Sequence, residues 1–139
     1  ACAFVAPWAA VIIGFIAGGI CSSAVGLKYK FNFDDSLDVV GVHLVGGIWG
    51  CISIGLFGSK SVNELGADGL FYGGGIHLLG LQAFGALFVF AYSFIVTGII
   101  GLALHKTIGF RVKEEDEIAG VDITEHLETA YETSRGVKL

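Results

Sequence analysis

Charge is what this sequence has least of. Acidic and basic residues make up 15% of the 139 positions, against roughly 25% in soluble globular domains. No Asp, Glu, Lys or Arg occurs in residues 1–27, 39–59 or 69–105. Each gap can cross a bilayer, which takes about 20 apolar residues at about 1.5 Å rise each. Three such gaps would leave too little polar sequence to cover a water-soluble core, so a soluble domain is excluded. Basic residues are also missing ahead of the first apolar run, and two more runs follow it, so that run is not a cleaved signal peptide. Cys2, Cys21 and Cys51 have no paired or metal-ligand spacing and read as small buried residues in apolar stretches. The sequence lacks a phosphate-binding glycine loop, an HExxH, a nucleophile elbow and a carboxylate pair within a span, so it is not read as an enzyme and needs no cofactor or metal. The net charge of -5 belongs largely to the last 34 residues, where eight acidic side chains face five basic ones, and a nucleic-acid surface is not expected.

What is present is an all-α integral membrane pattern. The sequence predicts a transmembrane region over residues 1–105, with spans at about 6–25, 37–57 and 76–104, and a cytoplasmic tail over residues 106–139. Lys28 and Lys30 lie in the first loop, Lys106, Arg111 and Lys113 at the start of the tail, and Lys60 alone in the second loop. That bias puts the first loop and the tail in the cytoplasm, which three crossings independently require to share a side. The second loop, rich in Ser, Asn, Asp and Gly, is an external connector. Asp34 and Asp35 precede the second span, where carboxylates accept free N–H groups and meet the positive dipole end.

His43 carries most of the functional argument. It lies inside the second span, and intramembrane ionisable groups are functional candidates. On a regular helix Val39, Gly46, Gly47 and Gly50 share its face, which places one imidazole beside a strip without side chains. Two readings follow. Gly46 and Gly50 form a small-xxx-small seam against another helix, with His43 bonded to it, or the strip opens on a lumen where a small polar molecule meets a ring nitrogen. His77, in a similar Gly-Ile-His-Leu-Leu-Gly stretch, is predicted at the outer start of the third span, at a different depth from His43. Gln82, Ser93 and Thr97 are expected to bond to backbone or to other helices.

In the tail, Asp122-Ile-Thr-Glu125 reads as a capping box, with Ile123, Leu127 and Tyr131 at four-residue steps on a short amphipathic helix. Its apolar stripe needs a surface, which the rest of the protein, a neighbouring subunit or a soluble partner could supply. The acidic run Glu114 to Glu117 reads as solvated or as a docking contact.

The stretch Asp34-Asp-Ser-Leu-Asp-Val-Val-Gly-Val-His-Leu-Val-Gly-Gly-Ile-Trp-Gly resembles the ammonium transporter (Amt) family, in which it opens the tenth helix. Gly109-Phe-Arg-Val-Lys-Glu-Glu-Asp-Glu and Ala119-Gly-Val-Asp-Ile-Thr-Glu-His resemble the family's tail in the same order. The resemblance covers essentially the whole chain and implies helices nine to eleven plus tail of an eleven-helix homotrimeric fold, the upstream helices lying outside this sequence. It implies ammonium or ammonia passage through a hydrophobic pore, with His43 as second member of a twin-histidine pair and Val39 lining the pore one turn away. Asp34, Asp35 and Asp38 then stand at the helix start and cytoplasmic mouth. Arg111, Gly120, Asp122 and Thr124 fall in a regulatory tail that signal proteins of the PII type contact in many microbes; in plant members Gly120 and Thr124 match subunit-coupling positions, the Thr being phosphorylated. A phosphate on Thr124 would repel Asp122 and Glu125 and unseat the helix. An Rh-type ammonia channel shares the fold, and a membrane-anchored ammonium-sensing or scaffold module is the alternative of another class. The absence of Met and the small number of spans lead to the expectation of a fragment, with another eight spans and a histidine on the fifth upstream.

Overall fold

The structure, a computed structural model, describes residue 1 and residues 3–128. The readings of Cys2 and Tyr131 therefore fall outside the described residues. Three helices among the described residues are long and apolar enough to cross a membrane: Pro7–Phe31, Val40–Phe57 and His77–Thr107. The chain divides into two compact units, Ala1–Ser93 and from Phe94 onward.

In the first unit, α1 (Pro7–Val25) opens with Pro at its first turn, where a missing N–H costs nothing. Gly26 ends it with helical backbone angles, and α2 (Leu27–Phe31) continues the path until Asn32 adopts a left-handed conformation at φ 53°. The second span begins with a π-helical turn, Val40–Leu44, and passes directly into α3 (Val45–Phe57). A short 3₁₀ turn, Leu70–Tyr72, precedes α4 (His77–Thr107). Three helices of spanning length were expected and three are found, the first extended by α2, the second starting at Val40 and the third running on to Thr107.

Packing in this unit depends on small residues and one aromatic cluster. Val5, Ala9, Ile13 and Phe57 form the buried core, with Ala10, Trp49 and Leu56 packed against it. Phe57 meets the Trp8 and Phe71 rings edge-on at 6.1 and 4.9 Å between centroids. Among helices in lipid, association relies on such close packing and on interhelical hydrogen bonds. The Trp49 indole N–H makes such a bond, donating to the Ile13 carbonyl across the α1–α3 contact at 3.0 Å. A methyl group on Gly55 would sit 2.5 Å from Leu79 Cα, so α3 and the start of α4 touch backbone to side-chain root. The connector 58–76 is tied to the N-terminal segment by a bridge between Val5 and Gly58 and by Ser59 N–H donating to the Phe4 carbonyl at 2.9 Å. Asp68 accepts from Lys60 N–H at 2.8 Å within the connector.

The second unit holds the end of α4, then α5 (Glu114–Ala119) and α6 (Val121–His126). Gly120 separates the two short helices at φ 104°, a conformation open to glycine and costly for other residues. The expected capping box does not form: α6 starts at Val121, Asp122 lies inside its first turn, and no side chain caps it. The helix start, with Gly120 at positive φ as its N-cap, lies two residues earlier than the box requires. Leu127 ends α6 in the left-handed conformation, so its side chain does not continue the stripe begun by Ile123. The acidic run forms α5 itself, with all four carboxylates in the first turn where they favour the helix dipole.

Candidate functional site

The site is built at the junction of the π-turn with the end of α1. Asp35 precedes the second span and its two carboxylate oxygens accept from Val39 N–H at 2.7 Å and Val40 N–H at 2.9 Å. Those are among the N–H groups a helix start leaves without intrahelical partners. Asp38 adopts a left-handed φ of 57° just before the turn, and its carbonyl accepts from Val42 N–H at 2.8 Å. Asp34 lies exposed beside this cap.

The π-turn then takes five residues where a regular helix takes fewer: Val45 N–H reaches back to the Val40 carbonyl. Such turns widen the helix locally and recur at functional sites. Here the widened turn carries His43. Span one packs tightly against the turn's other side. A methyl on Gly41 would lie 2.8 Å from Val25 N and 2.9 Å from Val25 Cα, so only glycine admits this approach. One residue later, the Cys21 thiol faces the Val42 carbonyl at 3.8 Å.

The side chains of His43 and Val39 both lie exposed on the described chain, away from the α1 contact. The glycine strip divides between the two sequence readings. A methyl on Gly46 would come within 3.2 Å of Cys21 Sγ, whereas Gly47 and Gly50 have nothing within 4 Å. The extra residue in the π-turn shifts the register between His43 and the glycines that follow. Gly46 thus joins the seam with α1, while Gly47 and Gly50 remain open.

His77 stands at the first position of α4, exposed, and is not brought together with His43. The side chains of Gln82, Ser93 and Thr97 make no hydrogen bond among the described residues. No group of His, Cys, Asp and Glu able to hold a metal ion occurs among the described residues.

Lys28 belongs to the site although its sequence reading was only as a topology-setting charge. Its ammonium donates to the Asp38 carboxylate at 2.6 Å and to the Asp35 carbonyl at 3.1 Å, with the Lys28 side chain only 16% exposed. In the second unit, Arg111 donates to both carboxylate oxygens of Glu117, at 3.0 and 3.1 Å from one nitrogen. Thr124 lies half-buried with its hydroxyl donating to the Gly120 carbonyl at 3.2 Å, and Asp122 is exposed. Ile123 and Leu127 are exposed as well.

The chain matches the Ammonium Transporter Family over residues 1–131. It is 46% identical over 136 residues to an ammonium transporter of Mycobacterium bovis, an alignment covering 94% of this chain and 28% of the relative. An ammonium transporter of Bacillus subtilis is 44% identical over 135 residues, covering 96% and 33% of the two chains. Ammonium transporter 1 member 2 of Arabidopsis thaliana is 38% identical over 135 residues, covering 94% and 26%. The chain therefore spans about a third or less of the length of these curated relatives.

Proposed function

The chain belongs to the ammonium transporter family, and from that premise we propose that it supplies part of an ammonium-conducting path through the membrane. Its place is the last three helices and the cytoplasmic tail of a larger subunit, three of which assemble as a trimer. The observation that carries this reading is the exposure of both His43, within the π-turn, and Val39, just before it, in an apolar span without Asp, Glu, Lys or Arg.

The chemistry of that arrangement suits ammonia. A fully charged ammonium ion in a dry, hydrocarbon-lined conduit faces a large desolvation cost, and so do other cations of its size. Neutral ammonia does not. Transfer of one proton from ammonium to water at the mouth, followed by passage of the neutral molecule, lets an apolar path select by chemistry rather than by size. His43, whose neutral ring has one donor and one acceptor nitrogen, hydrogen-bonds the passing molecule where water is excluded. Val39 keeps the path apolar beside it. The upstream helices close the remaining sides of the conduit. Asp34, Asp35 and Asp38 lie at its cytoplasmic mouth, and Arg111, Gly120, Asp122 and Thr124 lie in a tail that regulates it from the cytoplasm through a PII-type partner or phosphorylation.

Restoration of uptake tests the proposal. The complete transporter, expressed in cells stripped of ammonium uptake, restores growth on limiting ammonium and accumulates labelled methylammonium. Cells that make the protein in their membrane and gain neither property would overturn it.

A further inference from the structure

Three contacts from one short stretch of span one converge on the π-turn. The Cys21 thiol faces the Val42 carbonyl, the Val25 backbone lies against Gly41, and the Lys28 ammonium holds both the Asp38 carboxylate and the Asp35 carbonyl. Asp35 in turn caps Val39 and Val40 with its two oxygens, and the Asp38 carbonyl accepts from Val42 N–H. Every backbone feature that sets the phase of the turn is therefore tied, directly or through one residue, to α1 and α2. Among the described residues, Lys28 is the basic side chain that links the first span to these carboxylates.

The geometry points to Lys28 as a positioning residue for His43. Its ammonium fixes the left-handed Asp38 and the Asp35 loop so that the second span starts as a π-turn with the imidazole turned away from α1. Lys28 does not touch His43; it acts through Asp38 and the turn. A π-turn has fewer favourable hydrogen bonds than the α-helix into which it can relax. Relaxation would shift the register by one residue and rotate residue 43 by about 100° relative to α3. The Lys28–Asp38 pair is half-withdrawn from water, where removing one partner leaves the other without compensation. The consequence for transport rests on the pore reading given above; the consequence for the ring's position does not.

The experiment uses the complete transporter labelled on its histidine rings, with the His43 signal assigned by its loss in His43→Ala. Lys28→Met is expected to shift or split the His43 imidazole signal and to lower ammonium flux on the order of tenfold in reconstituted vesicles. Lys28→Arg, which keeps the charge and reach, restores both. Should Lys28→Met fail to accumulate, Asp38→Asn removes the same ion pair while retaining a side chain that tolerates the left-handed conformation, and it is expected to give the same shift. An unchanged imidazole signal in a folded Lys28→Met or Asp38→Asn protein overturns the proposal. A changed signal with unaltered flux, in membranes where His43→Ala abolishes flux, also overturns it. Unaltered flux in His43→Ala counts against the pore reading alone, and the imidazole signal then decides the positioning by itself.

Discussion

The Trp49 indole reaches across from α3 to donate to the Ile13 carbonyl of α1 at 3.0 Å. It is the direct polar tie between the middles of the first two spans, four residues short of the fully buried Ser53, whose hydroxyl bonds back to the Trp49 carbonyl. Interhelical hydrogen bonds in membranes contribute about 0.6 kcal/mol on average. Trp49→Phe keeps most of the ring and removes the donor. The detergent-solubilised protein is expected to melt a few degrees lower with transport retained, which a thermal-shift assay beside an uptake assay checks.

Gly41 and Gly55 occupy the closest helix approaches in the first unit, against Val25 and Leu79. Adding a methyl at either forces backbone apart, at a cost of about 1–3 kcal/mol. Gly41→Ala and Gly55→Ala are expected to reduce folded yield and melting temperature more than Trp49→Phe does. Size-exclusion chromatography and thermal melting of the purified variants read the difference.

Asp35 satisfies two N–H groups at the head of the second span. Loss of a helix cap costs about 0.5–2 kcal/mol. Asp35→Ala is expected to speed amide exchange at Val39 and Val40, and Asp35→Asn, which keeps one acceptor, to fall between it and the native protein. Hydrogen exchange resolved to the 36–46 peptide measures this.

Gly120 joins α5 to α6 at φ 104° and ψ 118°, a combination that strains any residue with a Cβ. Gly120→Ala is expected to cost about 1–3 kcal/mol locally and to loosen both short helices. The exposed Arg111–Glu117 pair behaves differently, since ion pairs in water contribute at most about 1 kcal/mol. Amide exchange over residues 114–126 should rise strongly in Gly120→Ala and little in Glu117→Gln, with the latter effect shrinking as salt is raised.

The spans were legible because charge marks their ends: Lys28, Lys60 and Lys106 bound the apolar runs, and the observed helices stop near them. Asp35 was legible as a cap because its chemistry acts over five residues of local sequence. The π-turn was not legible, since the spacing of Val39, His43 and Gly46 also fits a regular helix. Its cause lies in contacts with Cys21, Val25 and Lys28, far away in sequence. For the same reason Lys28 read as a topogenic charge when its ammonium holds Asp38, and local sequence did not separate the seam and lumen readings of Gly46, which meets Cys21 in the seam. In the tail, the capping-box pattern at Asp122 lost to a single backbone torsion at Gly120, which no side-chain pattern announces.

The proposed role of His43 is tested most directly by flux through the complete protein in sealed vesicles, comparing the native protein with His43→Ala at equal membrane density. Loss of one hydrogen bond to the passing molecule, about 1.4 kcal/mol, corresponds to about tenfold. The account predicts that ammonium-driven flux falls by at least that factor while the variant remains folded. Native flux through a folded His43→Ala protein would contradict it.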